Sequence, residues 1–321
     1  MRLSVVISPL DNPYWNLAVE NYLVASSDPD ECTLYLWQNR RTVVIGRHQN
    51  PYSECDVDLL LADGGFLLRR TTGGGAVYHD GGNLNFSFVV PTDAYDVERQ
   101  FEVLRRAVAD YGLSTSLSGR NDVLCEGRKF SGNAFLKGPV HCLHHGTILI
   151  AGNMADMQRY LRPKPAKLAK HGVASVQSRV VNLSALAAVS RENIKPRLVE
   201  AFEAVYGAAA GRRPFEELQR LPEVGRHFEQ YSGDTWLTAG WRDFRAERSA
   251  RFEWGEVELS LQVREGQIVA LQLATDALST DTVEVLERML VHADLQHCPA
   301  LPDNVDRAMA EDILSMIYTR R

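Results

Sequence analysis

The stretch Arg69-Arg70-Thr71-Thr72-Gly73-Gly74-Gly75-Ala76-Val77-Tyr78-His79-Asp80 puts two cations and two hydroxyls directly ahead of three glycines. Glycine tolerates positive φ and lets backbone N–H groups approach an anion with no Cβ in the way. Arg70 ends an apolar run, where it can bring a planar fork to a phosphate or a carboxylate. The stretch is not a Walker A loop, because no Gly-Lys-Ser/Thr follows. It is not a Rossmann fingerprint either, because Gly-x-Gly-x-x-Gly is absent. These residues alone predict an anion-binding turn, with a flexible hairpin and solvated arginines as the plainer alternative.

Lys129 is a second candidate. It lies between Arg128 and Phe130-Ser131-Gly132, where a strand exit followed by glycine would aim an ammonium into a cleft. Without further context it reads as a solvated lysine beside another cation. Upstream, the Asn121-Asp122 carboxylate could hold Mg²⁺ against phosphate oxygens, orient Lys129, or close a turn. His141-Cys142-x-His144-His145 invites a metal reading, yet on a strand His144 and His145 point to opposite faces, which favours packing roles. His79-Asp80 reads as a strand end with a turn cap rather than a catalytic pair. From Arg162 to Arg179 the chain carries five cations (Arg162, Lys164, Lys167, Lys170 and Arg179) and no carboxylate. Within a chain of net charge -6, that stretch either meets an anionic partner or forms a solvated mobile loop.

These groups need a scaffold, and 321 residues at 45% apolar and 24% charged provide one large domain and one smaller one, which excludes disorder. The acidic balance excludes a general nucleic-acid or membrane-surface binder. Cys32, Cys55, Cys125, Cys142 and Cys298 are scattered without a Cys-x-x-Cys, which suggests neither disulfides nor a zinc ribbon and fits a reducing cytoplasm. The run from Met1 to Pro9 reads as a short strand rather than a signal peptide, and no run approaches the ~20 apolar residues that span a bilayer.

Asn12-Pro13 predicts a helix start, with Trp15, Ala18, Val19 and Tyr22 on one face. Strands are expected at Thr33–Trp37 and Thr42–Ile45 across the polar turn Gln38–Arg41, then at Phe66–Arg70, Ala76–Tyr78 and Leu84–Val90 continuing the same sheet. A helix over Val97–Tyr111 precedes short strands at Leu113–Leu117, Arg128–Phe130 and Gly146–Ile150. Helices follow at Asn193–Tyr206 and Phe215–Gln230. Beyond Phe244, strands at Phe252–Val263 and Ile268–Leu273 and helices at Thr280–His292 and Val305–Tyr318 mark a compact unit. The fold class is α+β: a large domain over 1–244 with mixed, mostly antiparallel sheets flanked by helices, and a small α+β accessory domain over 245–321.

The stretch from Arg69 to Asn83 resembles the signature R-R-x-[ST]-G-G-G-A-V-[FY]-H-D-x-G-N of the lipoate–protein ligase A family, within the biotin/lipoate ligase superfamily. Further stretches agree in order: Asn16-Leu17-Ala18-Val19-Glu20, Val43 to Pro51, Gly119-Arg120-Asn121-Asp122, Arg128 to Gly132, His144-His145-Gly146-Thr147 and Ser178-Arg179-Val180-x-Asn182-Leu183. The resemblance implies ATP-dependent attachment of lipoate to a lysine of a partner through lipoyl-AMP. It makes Lys129 the essential cation. Arg70, Gly75, Ala76, Val77, Tyr78, Asn121, Asp122, Gly172, Val173 and Ser175 join it at ATP and the adenylate. For lipoate it implies Lys129, Arg70, Gly74, His79 and Ala134, with Leu17 and Val44 as further candidate walls. MgATP is the implied co-substrate, Asp122 the candidate Mg²⁺ ligand, and the basic stretch an adenylate-binding loop. The implied acceptors are apo lipoyl domains of 2-oxoacid dehydrogenase E2 subunits and the glycine-cleavage H protein.

Rival readings share parts of this pattern. A lipoyltransferase would take only preformed lipoyl-AMP. An octanoyltransferase would use a cysteine such as Cys125 or Cys142 and no ATP. A non-catalytic sensor of lipoyl-AMP would have less need of both Arg70 and Lys129. Biotin–protein ligase is more distant, since its Gly-Arg-Gly-Arg-Arg-Gly-Arg loop is missing. Trp236-Leu237-Thr238-Ala239-Gly240 also departs from the family's Trp-x-Tyr-Gly pattern, which bears on the interdomain hinge rather than on the chemistry.

Overall fold

The computed structural model describes residues 1–119, 121–162, 180–238 and 240–318. β1 (Arg2–Ile7) and β2 (Glu31–Trp37) pair in parallel, so helix α1 (Pro13–Ser26) is the crossover between them. Asn12 caps α1 by accepting from the backbone N–H groups of Tyr14 and Trp15, and Pro13 takes the first turn, where its missing N–H loses no bond.

β3 (Thr42–Ile45) does not continue the first sheet. With β4 (Phe66–Arg69) and β5 (Val77–His79) it forms a separate sheet of order β4-β3-β5, parallel to β4 and antiparallel to β5. The expected single sheet is corrected here. Gln38–Arg41 is no tight turn, because Asn39 is fully buried and its Oδ1 accepts from Asn16 Nδ2 at 3.1 Å. The linker dives inward and delivers the chain to the second sheet. Two short helices, α2 (Pro51–Glu54) and α3 (Val57–Ala62), make the crossover from β3 to β4.

The chain returns to the first sheet through β6 (Asn83–Pro91), α4 (Val97–Ala109), β7 (Thr115–Ser118), β8 (Asp122–Cys125), β9 (Arg128–Leu136) and β10 (His141–Leu149). α5 (Met154–Tyr160), α6 (Arg191–Tyr206) and β11 (Ala210–Arg212) follow, and the sheet order is β11-β1-β2-β6-β10-β9-β8-β7. β1 is parallel to both neighbours and the remaining pairs are antiparallel. One face of this sheet packs Leu34, Phe86 and Phe88 against Leu104 of α4 and Phe202 of α6. The opposite face carries Tyr35, Val89 and Leu143 against Val19 and Leu23 of α1. The candidate site is built on that second face.

The helix expected over Phe215–Gln230 is two, α7 (Phe215–Gln219) and α8 (Pro222–Ser232), because Pro222 cannot continue a helical hydrogen-bond ladder but suits a first turn. After α9 (Asp234–Leu237), the strand expected over Phe252–Val263 is β13 (Glu256–Arg264), and a further strand, β12 (Arg248–Arg251), precedes it and pairs with it antiparallel. β14 (Gln267–Thr275) completes a three-stranded sheet, which α10 (Asp281–Leu290) and α11 (Arg307–Ile317) cover. Val257, Leu273, Leu286 and Ile313 form its own core. This small unit leans on the glycine segment: Gly74 N donates to Ala277 O at 2.7 Å, and Thr275 N to His48 O at 3.0 Å.

Candidate active site

A cavity of about 370 Å³ lies between the second face of the large sheet, the glycine segment and the C-terminal unit. That volume is in the range of small-molecule sites. Successive rows of the sheet form its floor. Trp37, Asn85 and Thr147 are cross-strand neighbours on β2, β6 and β10, and Tyr35, Ser87, His145 and Ala134 form the next row. Trp37, Asn85, Thr147, His145 and Ala134 line the cavity, as does Leu17 of α1. The wall candidates Leu17, Val44, Gly74 and Ala134 all lie in this one space.

The glycine segment forms another wall, and its glycines answer different demands. A Cβ on Gly73 would sit 2.1 Å from Ala277 O, so only glycine admits the C-terminal unit this closely. Gly74 has φ +93, a conformation that other residues rarely adopt. Gly74, Gly75, Ala76, Val77 and His79 line the cavity. Tyr78 does not: alternation along β5 turns its ring away from the cavity into a buried cluster, where it packs against Tyr160 with ring centroids 5.5 Å apart. Asp80 accepts from Gly82 N and Asn153 N, both at 2.7 Å, and so caps the turn as expected.

Arg70 lines the cavity but is not poised as an open clamp. Its Nη2 donates to Gly73 O at 2.7 Å and Gly75 O at 2.9 Å, and its Nε to Thr72 Oγ1 at 3.1 Å. The fork shapes the loop from within. Burial pulls its pKa down to about 10, which leaves it charged at neutral pH. Behind it runs a chain of buried hydrogen bonds. Thr72 Oγ1 meets His145 Nε2 at 2.8 Å, and His145 Nδ1 meets Glu20 Oε1 at 2.9 Å. Ser87 Oγ donates to the same Glu20 oxygen at 2.5 Å, and Trp37 Nε1 donates to Ser87 Oγ at 2.8 Å. Glu20 is fully buried. A buried carboxylate thus offsets the buried guanidinium through one imidazole and one hydroxyl. Arg69, beside it, turns the other way: Nη1 donates to Arg47 O and Gln49 O, and Nη2 to Leu237 O at 2.9 Å.

Lys129 Nζ pairs with Asp122 Oδ1 at 2.7 Å at the more open side of the cavity, where both side chains are about one-third exposed (32% and 35%). Its expected position at a strand exit is corrected, because β9 runs on to Leu136. Gly132 acts differently: a Cβ there would meet Nζ at 2.7 Å, so glycine clears the space the ammonium occupies. A bulge in β9 at Phe130, opposite Val123 and Leu124 of β8, sets the register, and Asp122 pairs with Gly132. Asn121 Nδ2 donates to Asn133 O at 2.6 Å. Arg120, Gly172, Val173 and Ser175, with the cations from Lys164 to Arg179, lie outside the described residues; Arg162 pairs with Asp56 at 3.0 Å, away from the cavity.

Among the described residues no cluster of three or more His, Cys, Asp or Glu side chains could hold a metal. His144 and His145 do face apart: His144 bonds Gln100 Oε1 and Asn133 Oδ1, each at 2.9 Å, on the other side of the sheet. No cysteine is among the residues lining the cavity, and burial pushes the Cys125 thiol up. Sequence reasoning missed Trp37, Leu68, Asn85, Asn133 and the C-terminal Arg251, Asp276 and Leu278, all of which line the cavity. Asn83-Leu84-Asn85-Phe86-Ser87-Phe88 alternates polar and apolar residues, yet all nine residues of β6 are buried. A polar stripe on a strand central to its sheet was the signal for a lined cavity.

Comparison with known proteins decides the lineage. The model described as "Lipoyl protein ligase A/B catalytic domain" matches residues 12–203. The chain belongs to this family. The model described as "Bacterial lipoate protein ligase C-terminus" matches residues 242–298. The lipoate-protein ligase A of Psychrobacter cryohalolentis is 36% identical, covering 97% of this chain and 95% of that protein. The one from Bdellovibrio bacteriovorus is also 36% identical, over 90% and 87%. Among solved structures, P. falciparum LipL1 in complex with lipoate is similar at 25% identity and a TM-score of 0.86, covering 99% of this chain and all of that one. A lipoate-protein ligase A bound with ATP matches at 26% identity and a TM-score of 0.61, covering 74% and 97%. Structure and lineage agree on an α+β ligase with a small C-terminal domain, and no described helix is long and apolar enough to cross a membrane.

Proposed function

We propose that this chain activates lipoate with ATP and transfers the lipoyl group to a lysine of an apo lipoyl domain or H protein. One observation carries the reading: a fixed ammonium, Lys129, stands at one side of a cavity whose walls include Leu17, Val44, Leu68, Ala134 and the glycine segment. Such a cavity suits an acyl chain with its carboxylate toward the lysine. Relatives solved with lipoate and with ATP support the same pair of substrates.

In the first step a carboxylate oxygen attacks the α-phosphorus, the bond to the bridging oxygen breaks, and pyrophosphate leaves. Two anions must approach each other, and charge gathers on the phosphoryl oxygens. Lys129 offsets both, and Asp122 positions it between strands β8 and β9. Arg70 acts through the loop, holding the Gly73 and Gly75 carbonyls so that the backbone from Gly75 to Val77 can border the adenylate. Tyr78 contributes backbone only. Asp122 and Asp276 are the cavity's carboxylates. That number fits Mg²⁺ carried in by ATP, which needs few protein ligands beside phosphate oxygens and water. Mg²⁺ would supply charge neutralisation on the triphosphate.

In the second step the neutral amine of the acceptor lysine attacks the acyl carbon, the acyl–phosphate bond breaks, and AMP leaves as a proton is lost from nitrogen. The partner supplies the nucleophile, consistent with a cavity lined by no cysteine. A structure of an archaeal bipartite ligase described with its E2 lipoyl domain, 26% identical to this chain, supports lipoyl domains as acceptors. We assign residues 1–244 to adenylation and transfer and 245–321 to the accessory unit. The free cysteines suit a cytoplasmic setting. The test is the intact mass of an apo lipoyl domain after incubation with the chain, lipoate and MgATP. A lipoyl increment on one lysine is expected. An increment seen only from supplied lipoyl-AMP would replace the ligase reading by a transferase.

A further inference from the structure

Adenylation employs groups around Lys129, on β8 and β9. Across the floor, on β6 and beyond, stand polar atoms that neither step uses. Asn85 is 1% exposed and His79 4% exposed, and both line the cavity. Both amide atoms of Asn85 and the Nε2 of His79 are buried without a hydrogen-bond partner. Folded proteins rarely keep such atoms unless a ligand or water meets them. The two side chains are neighbours through Trp37, which pairs with Asn85 across the sheet and touches the His79 ring at 6.4 Å.

The proton on His79 can be placed. Asn39 Oδ1 accepts from Asn16 Nδ2 at 3.1 Å, so Asn39 turns its Nδ2 toward His79 Nδ1 at 3.3 Å. Nδ1 is therefore the acceptor. Burial, with the charges of Arg70 and His145, pulls the imidazole down to about 3, so it is neutral and its single proton is on Nε2. This end of the cavity accordingly presents two unpartnered N–H donors, His79 Nε2 and Asn85 Nδ2, beside an indole ring.

We propose that Asn85 and His79 form a selectivity subsite whose N–H groups donate to the sulfur atoms of the acyl chain's terminal ring. A dithiolane acid is then taken in preference to an all-carbon acid of the same shape. The inference rests on the lipoate reading above and adds the reason for it. The spacing fits: from Gly132, beside Lys129, to Asn85 is two strand spacings, roughly 10 Å, so a carboxylate at the lysine puts the ring at this wall. Sulfur is a weak acceptor that also packs well on aromatic rings, and a methylene offers no lone pair. An all-carbon ring would leave both donors buried and unmet, which is how polar sites reject apolar analogues.

The experiment compares lipoate with 5-cyclopentylpentanoate, its all-carbon counterpart, and with octanoate, in acid-dependent ATP–pyrophosphate exchange by the full chain. For the wild type, kcat/KM is expected to be roughly tenfold or more higher for lipoate than for the cyclopentyl acid, through KM. Asn85→Leu and His79→Phe are each expected to bring that ratio toward one. Equal use of the two ring acids by the wild type overturns the subsite, and this comparison decides even if both variants fail to fold. Folded variants that keep the wild-type ratio also overturn it. If the wild type exchanges with no acid, the ligase reading fails separately. Calorimetric binding of the two ring acids then decides the subsite: tighter lipoate binding supports it, and equal binding overturns it.

Discussion

The two sides of the cavity are built on opposite principles. Around Lys129 the site is charged and part-exposed, and the ammonium is held by one carboxylate on a bulged strand pair. At the inner wall, Glu20, His79, Asn85 and His145 are buried side chains on three strands and α1; Glu20 and His145 belong to the hydrogen-bonded chain toward Arg70, and burial keeps the His79 imidazole neutral. The contrast separates two tasks. A cation that stabilises developing charge must reach the reacting atoms, whereas groups that select a substrate must be rigid and dry. Arg70 belongs with the second kind. Its motif suggests a clamp, but its donors are occupied by loop carbonyls.

The sharpest way to break this contrast is at Lys129. Lys129→Ala is expected to lower adenylation by roughly 10²–10³-fold, chiefly in kcat, as for loss of one electrostatic stabiliser. Near-wild-type rates of lipoyl-AMP formation in a quench assay would remove the lysine from its assigned task. Gly73→Ala probes the rigid side: the new Cβ meets the Ala277 and Leu278 carbonyls at 2.1 and 2.6 Å, and backbone cannot yield cheaply. A loss of about 1–3 kcal/mol in urea unfolding is expected. An unchanged midpoint would mean that the C-terminal unit does not rest on this loop.

Acid sensitivity tests the same rigid side. Burial pulls His79 down to about 3 and holds His144 well below the ordinary value near 6.5. Between those limits the unfolded chain binds protons that the folded chain refuses. Stability is therefore whole above pH 6.5 and falls as pH drops, by roughly 1 kcal/mol per pH unit for each such proton. Urea midpoints at pH 7.5 and 5 would show it, and equal midpoints would mean that these imidazoles are not held neutral.

Much of the site was legible as residue types: the glycine segment, Lys129 with Asp122, and the walls Leu17, Val44 and Ala134 all converge. Direction was harder to read. Tyr78 faces away because a three-residue strand gives too little alternation to fix its register from sequence. The second sheet stayed hidden because Gln38–Arg41 looks polar and turn-like, and only a tertiary partner, Asn16, explains burying Asn39. Arg251, Asp276 and Leu278 enter the cavity from more than a hundred residues away, which no local pattern encodes. Asn85 did leave a trace, the polar stripe of β6, but alternation ordinarily means a solvated face. Here the stripe faces a cavity.

The central claim, that this chain makes its own acyl-adenylate, is tested most directly by lipoate-dependent exchange of labelled pyrophosphate into ATP with no acceptor protein present. The account predicts exchange that requires lipoate and Mg²⁺ and collapses in Lys129→Ala. No exchange from a folded wild-type chain that still modifies a lipoyl domain with supplied lipoyl-AMP would contradict it.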